Sequence, residues 1–428
     1  MPSNETTKYH KLLPWIIWAL GALLFFSEYA ARVAPSVMTE QLQHVFHASA
    51  VELGVLGAFF YYAYVTMQIP VGMLVDRFGS HKLLTITALI CALGSIMFAM
   101  ADNLVVACIA RFLIGFGASF AFVGTLKLAS VWFPASRFGL MAGLTQAMGM
   151  FGAAAGEAPV AAAVHHYGWR ETIVFLAVIF IILAILIGFI VQNHPPGYVV
   201  TKPRSKTKSN VWNAILIVIS NPRTWVNAFY IGLLYAPTAA FAELWGPRFL
   251  HEVYGLDKIH AGFAVSLIYI GWIFGGPISG FISDKIGRRK PVMLFSAFAG
   301  MVLLGIVLYV PGIPLGLLEV LLFLYGLTNF GVAISYAYAS EINPRRIAGT
   351  SMAFANMSSV IVGSWLFMPL IGWMLDRVAG HEDAINHIYT AHDFRSAMFL
   401  LPLCLLASFI IGCFLKETHC RNHEPHPA

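Results

Sequence analysis

The sequence predicts an all-α membrane protein, with twelve transmembrane helices in two six-helix, pseudo-symmetric bundles. Three observations lead there. Hydrophobic residues make up 59% of the 428 and charged ones 11%, and a mean hydropathy of +0.75 describes a chain whose solvent is mostly lipid. Apolar runs near the ~20 residues needed to cross a bilayer begin near Trp15, Val51, Leu83, Asn103, Gly139, Thr172, Trp225, Ala261, Val292, Leu315, Met352 and Ala397. Finally, one charged turn is written twice. Gly72, Asp76, Arg77 and Gly79 recur as Gly280, Asp284, Lys285 and Gly287, and 280 minus 72, 284 minus 76 and 287 minus 79 all give 208.

Six runs fall on each side of a polar stretch, so residues 1–193 and 214–428 are expected as the two bundles and 194–213 as the linker. That stretch carries Pro195, Pro196, Gly197 and Pro203 among Lys202, Arg204, Lys206 and Lys208, a composition for a hydrated cytoplasmic connection. Lys82, Arg137, Arg288 to Lys290 and the Arg345–Arg346 pair fall on the same side, and Glu40, Glu52, Glu252, Asp257, Glu382 and Asp383 on the other. The positive-inside rule then puts both termini in the cytoplasm. The net charge of +6 is spent on orientation, not on nucleic acid. The five cysteines give no disulfide framework, and the outer-loop histidines His251, His381 and His387 fit no metal template. No Walker loop, nucleophile elbow or His-Glu-x-x-His motif occurs, so no enzyme, cofactor or metal site is expected.

The repeated turn resembles the Gly-x-x-x-Asp-Arg-x-Gly-Arg-Arg signature of the major facilitator superfamily, with Ser80 and His81 departing from it in the first copy. Arg111-Phe-Leu-Ile-Gly115-Phe-Gly117 resembles that superfamily's fourth helix, and the glycine-rich run from Gly143 to Pro159 its fifth. The resemblance spans nearly the whole chain. It implies the major facilitator fold and a secondary active transporter working by alternating access. It also gives Gly72, Asp76, Arg77, Gly79, Gly280, Asp284, Gly287 and Arg288 a part in conformational gating. The Gly-Pro pair of drug antiporters is absent after Gly149.

Ionisable groups inside spanning helices are costly and mark function by default. Glu28 and Arg32 share a face of the first helix, either as an internal ion pair or as a proton site beside a forked anion donor. Pro35 is expected to break that helix and free carbonyls. Arg111 on the fourth run and Glu157 on the fifth reach a similar depth, so Glu28, Arg32, Arg111 and Glu157 form a near-neutral candidate cluster. On the seventh run Glu243 falls one position before the counterpart of Arg32. Tyr61, Tyr62, Tyr64, Gln68, Asn329, Tyr336, Tyr338 and Asn356 are uncharged candidates for a polar lining, for interhelical hydrogen bonds or for an aromatic belt. The substrate-binding set is thus Arg32, Tyr29, Arg111, Glu243 and Asn356, with Glu28 or Glu157 as the proton-coupling carboxylate.

Ala31-Arg32-Val33-Ala34-Pro35-Ser36 looks like the Asp-Arg-x-x-x-Ser segment of organic-anion:cation symporters, which carry a Glu where this chain has Ala118. More loosely the chain resembles intraphagosomal amino-acid transporters and lysosomal dipeptide carriers. The expected substrate is a small carboxylate-bearing solute: an amino acid, a short peptide or an organic anion. It is expected to travel with a proton through a monomeric carrier in the inner or plasma membrane. A facilitator, a siderophore or drug exporter, a passive channel and a membrane receptor or sensor stay open as alternatives.

Overall fold

A computed structural model describes residues 4–133, 138–195, 211–344, 347–380 and 389–421. Most of the linker, Arg137, Arg345, Arg346, His381, Glu382, Asp383, His387 and the side chain of Asp76 lie outside the described residues. Among those described there is helix and no strand. Eleven helical spans are long and apolar enough to cross a membrane. The seventh run is helical too, from Pro222 to Tyr254, and is more polar because it carries Asn227, Tyr230, Tyr235, Glu243 and Arg248.

Packing divides the chain into two units, Met1–Met38 with Phe59–Lys202, and Thr39–Ala58 with Pro203–Ala428. The division at Lys202 falls within the expected linker, and Thr39–Ala58 groups with the second unit. In the first unit, α1 (Asn4–Val33) ends in a 3₁₀ turn, Ala34–Met38. The unit also holds α3 (Ala50–Phe78) from Phe59 onward, α4 (Ser80–Ala99), α5 (Leu104–Ala118), α6 (Ala121–Trp132), α7 (Phe138–Tyr167) and α8 (Trp169–Ile190). Helix α4 packs on α5 and α8, and α1 on α6, α7 and α8.

The second unit holds α2 (Thr39–Phe46), the start of α3, and α9 (Val211–Ser220). Next come α10 (Pro222–Pro237), a π-helical stretch Thr238–Trp245, α11 (Gly246–Tyr254), α12 (Lys258–Ile286) and α13 (Lys290–Tyr309). The rest is α14 (Leu315–Thr328), α15 (Gly331–Glu341), α16 (Ala348–Val360), a second π-helical stretch Ile361–Phe367, α17 (Met368–Ala379), α18 (Ala391–Met398) and α19 (Leu400–Cys413).

Outward faces are apolar, as Phe175, Phe189, Phe281 and Leu93 illustrate. Polar residues turned inward satisfy themselves. Thr87, Thr125, Thr145 and Thr172 donate to carbonyls one turn back, at 2.7 to 2.8 Å, so they enter lipid without an orphan donor.

The two repeated turns depend on backbone that only glycine adopts freely. Gly79 has φ +81° and Gly287 φ +67°, whereas Gly72 and Gly280 have nothing within 4 Å of where a Cβ would stand. Glycine at those two is therefore not demanded by close packing among the described residues. Replacing Gly287 by Ala is expected to cost about 1–2 kcal/mol from backbone strain alone. Gly79→Ala should cost more, since its Cβ would also meet the Asn193 amide at 2.5 Å. Thermal unfolding of the two purified variants checks the order, and an unchanged Gly287→Ala would refute the strain.

Candidate functional site

Proline 35 sets the local geometry. It has no N–H to offer the carbonyl of Ala31 four residues earlier, so α1 gives way to the 3₁₀ turn at Ala34. Arg111 on α5 supplies the missing donors: Nη1 donates to the Ala31 carbonyl at 2.8 Å and Nη2 to that of Arg32 at 2.9 Å. The freed carbonyls expected from the sequence are thus held by a buried guanidinium.

Arg32 lies between them and Glu28. Its Nη2 donates to Glu28 Oε1 at 2.6 Å, with both side chains buried. The guanidinium sits over the rings of Tyr29 at 4.0 Å, Tyr64 at 4.9 Å, Phe60 at 5.2 Å and Tyr61 at 5.6 Å, a cation–π enclosure that partly replaces lost hydration. Glu28 Oε2 and Arg32 Nε make no hydrogen bond among the described residues. A half-satisfied buried pair is energetically expensive. Four residues beyond Arg32, the Ser36 hydroxyl donates to both oxygens of Glu157 on α7, at 2.9 Å each. Glu28, Arg32, Arg111, Glu157 and Tyr29 therefore gather around one break in α1. Phe60 was not foreseen, although the run Phe59-Phe60-Tyr61-Tyr62-Ala63-Tyr64 carried the signal.

Glu243 and Asn356 belong to the second unit. Glu243 lies in the π-helical stretch Thr238–Trp245, where its Oε1 accepts the Tyr235 hydroxyl at 2.5 Å. Asn356 Oδ1 accepts from the Tyr336 hydroxyl at 3.0 Å, and Asn329 donates to Thr238 Oγ1 at 2.5 Å. π-helical insertions are frequent at functional sites.

At the second repeated turn Asp284 meets Arg289, not the exposed Arg288: Arg289 Nη1 donates to Asp284 Oδ1 at 2.7 Å and Nη2 to Glu341 Oε1 at 2.8 Å. Thr418 Oγ1 donates to Glu341 Oε2 at 2.6 Å. Glu417 caps the start of α13 by accepting from the backbone N–H of Arg289 at 2.8 Å and of Lys290 at 3.1 Å. Sequence reading missed Arg289 because its first-copy counterpart, 289 minus 208, is His81. There the His81 N–H donates to Asn193 Oδ1 at 3.0 Å, so an amide does in one unit what a carboxylate does in the other. Gly72, Arg77 and Gly79 lie at the matching end of α3, with Arg77 exposed.

Residues 17–367 match the family model described as Major Facilitator Superfamily. The chain is similar to the "Probable galactarate/D-glucarate transporter GudP" of Bacillus subtilis, 25% identical over 381 residues, or 81% of this chain and 83% of that one. It is similar as well to the "Probable sulfoacetate transporter SauU" of Cupriavidus necator, at 23% over 392 residues, covering 86% and 88%. Among solved structures, the nucleoside transporter NupG superposes with a TM-score of 0.77 over 94% of this chain and 99% of that one, at 15% identity.

The tail cap has a pH signature. Burial works to raise the Glu417 carboxyl, but the backbone N–H groups of Arg289, His419, Lys290 and Thr418 outweigh it and hold it below its ordinary 4.5. A folded value below the unfolded one means the stabilisation is full above about pH 4.5 and is lost as the pH falls through the lower folded value. Thermal unfolding should therefore fall more steeply on the acid side in the native chain than in Glu417→Gln, which starts lower. Parallel curves would refute the cap.

Proposed function

The chain belongs to the Major Facilitator Superfamily of membrane transporters, and we propose that it is a proton-coupled carrier of small organic anions, with Arg32 as the anion anchor and Glu28 as the proton-exchanging group. The observation that carries this reading is the buried Arg32–Glu28 contact of 2.6 Å, in which each partner keeps one polar atom without a hydrogen bond. An ionised Glu28 competes with a substrate carboxylate or sulfonate for the same planar fork of donors. Protonation of Glu28 removes the competitor's charge, so proton and anion each favour binding of the other, and by linkage the coupling is reciprocal. The two relatives, a probable galactarate/D-glucarate transporter and a probable sulfoacetate transporter, favour the organic-anion arm over amino acids or peptides.

Arg111 acts as a positioning residue, because its donors are placed on the carbonyls beside Arg32. Glu157, which takes the Ser36 hydroxyl on the same turn, is the second candidate for the proton. Glu243, which accepts the Tyr235 hydroxyl, and Asn356, which accepts the Tyr336 hydroxyl, are the candidate substrate groups within the second unit. The charge bias of the turns supports cytoplasmic termini, and the carrier is proposed to work as a monomer in the plasma membrane.

Counterflow and proton-driven uptake in proteoliposomes, with galactarate, glucarate and sulfoacetate as the panel, test the reading. Arg32→Lys keeps the charge but loses the fork, and should weaken binding about tenfold, the equivalent of ~1.4 kcal/mol. Glu28→Gln should exchange substrate yet fail to concentrate it. Uphill uptake that survives Glu28→Gln would pass the coupling role to Glu157, uphill uptake that ignores collapse of the proton gradient would leave a carrier coupled to another ion, and no uphill uptake at all would leave a facilitator.

A further inference from the structure

Helix α3 starts with more capping than an isolated helix needs. Four backbone N–H groups at a helix start have no partner within the helix. Two are satisfied locally by a capping box: Ser49 N–H donates to Glu52 Oε2 at 2.9 Å and Glu52 N–H to Ser49 Oγ at 3.3 Å. The remaining two go to a residue far along the chain. Ala50 N–H donates to Asp376 Oδ1 at 3.0 Å and Val51 N–H to Asp376 Oδ2 at 2.9 Å. Asp376 lies on α17 and is itself oriented by the Tyr389 hydroxyl at 2.6 Å.

The rest of Thr39–Ala58 is seated by polar contacts of the same kind. Arg248 on α11 donates to Gln43, and its guanidinium lies 5.0 Å over the Tyr389 ring. Lys258 pairs with Glu40 at 2.7 Å. Where α3 meets α17 the surfaces are nearly bare backbone: a Cβ on Gly54 would stand 2.5 Å from the Met368 carbonyl, and one on Gly372 2.2 Å from that of Ala50. The Met368 side chain also reaches α3, its Sδ standing 3.4 Å from where a Cβ on Gly57 would lie. Within a bilayer, separating such apolar faces forfeits little hydrophobic energy, because lipid replaces the contact.

We propose that Asp376 is a releasable latch: its carboxylate holds the start of α3 in one conformation of the transport cycle and lets go in another. The division of the four N–H groups fits release. When Asp376 withdraws, the capping box still closes half of them, and the exposed Ala50 and Val51 groups turn to water at the membrane edge. The 3₁₀ turn Ala34–Met38 leads into the segment, and the left-handed His47, at φ +50°, lies within it between α2 and α3. The chain before Thr39 and after Ala58 packs in the first unit while the segment packs in the second, so the segment is where movement would be read. The proposal does not depend on which solute is carried.

The test uses a full-length Cys413→Ser/Cys420→Ser background with Leu53→Cys, whose native side chain is fully buried, and a membrane-impermeant maleimide. Loss of the charged cap should raise the labelling rate roughly fivefold in Asp376→Asn, the size of a lost helix cap, and Asp376→Glu should bring it back toward the parent. Equal rates in Asp376→Asn and its parent would mean a fixed structural contact and overturn the latch. Should Asp376→Asn not accumulate in the membrane, Ala50→Cys/Asp376→Cys decides. Oxidised protein, its cross-link verified by mass, is expected to stop counterflow and to recover with reductant. Counterflow by the cross-linked protein at the reduced rate overturns the proposal. Labelling needs no substrate, so its failure is distinguishable from an error in the anion assignment.

Discussion

A guanidinium cannot be left alone in the apolar interior of a membrane protein, and the first unit is arranged around that constraint. Arg32 is met by a carboxylate one turn earlier on its own helix and by aromatic rings from α1 and α3. The break at Pro35 would add two poorly served carbonyls to the same spot. Arg111 removes that problem by donating to both, and the turn that follows the break brings the Ser36 hydroxyl to Glu157. Each charge is therefore tolerated because of a partner placed on it, and deleting a single member leaves an orphan whose cost exceeds the worth of the contact itself.

The spans were legible because lipid imposes a simple rule on sequence: about twenty apolar residues per crossing, with charge kept to the ends. The site was legible for the same reason. Glu28, Arg32, Arg111 and Glu157 stand out against apolar neighbours, and helical spacing alone puts the first two on one face. What did not show was which partner each charge takes. Arg111 reads as a substrate ligand in one dimension, and its donors to the Ala31 and Arg32 carbonyls did not show there, because the need for them arises from Pro35, 76 residues earlier in the chain. Arg289 was passed over for Arg288 because a motif fixes residue types, whereas the left-handed turn at Gly287 decides which of two adjacent arginines faces inward. The role of Asp376 was invisible, since nothing local says that its partners are backbone groups 326 and 325 residues away.

The duplicated turn separates what the fold requires from what each half has been free to change. Glycine with positive φ is kept at 79 and 287 because the backbone demands it. The capping group is not kept: Asn193 serves α4 and Glu417 serves α13. Either oxygen satisfies a helix N-terminus, but only the carboxylate adds charge, and it does so beside Arg289, Asp284 and Glu341. Among the described residues, the second unit thus carries an ionic cluster at a position where the first shows neutral hydrogen bonds and the His81 ring on the Gly188 carbonyl.

Helix termini recur as the places where this chain spends its polar side chains, and the bilayer explains why. Lipid tails are as apolar as the helix faces, so contacts between those faces carry little hydrophobic drive and rest on close packing. An N–H group at a helix start, or a carbonyl freed by proline, has no such substitute within the hydrocarbon. A few acceptors and donors, among them Arg111, Asn193, Asp376 and Glu417, consequently serve backbone groups that the apolar surfaces around them cannot. A carrier must hold each of its states firmly and leave it readily. Contacts that are strong inside the protein and replaceable by water at its edge meet both demands, which packing alone does not.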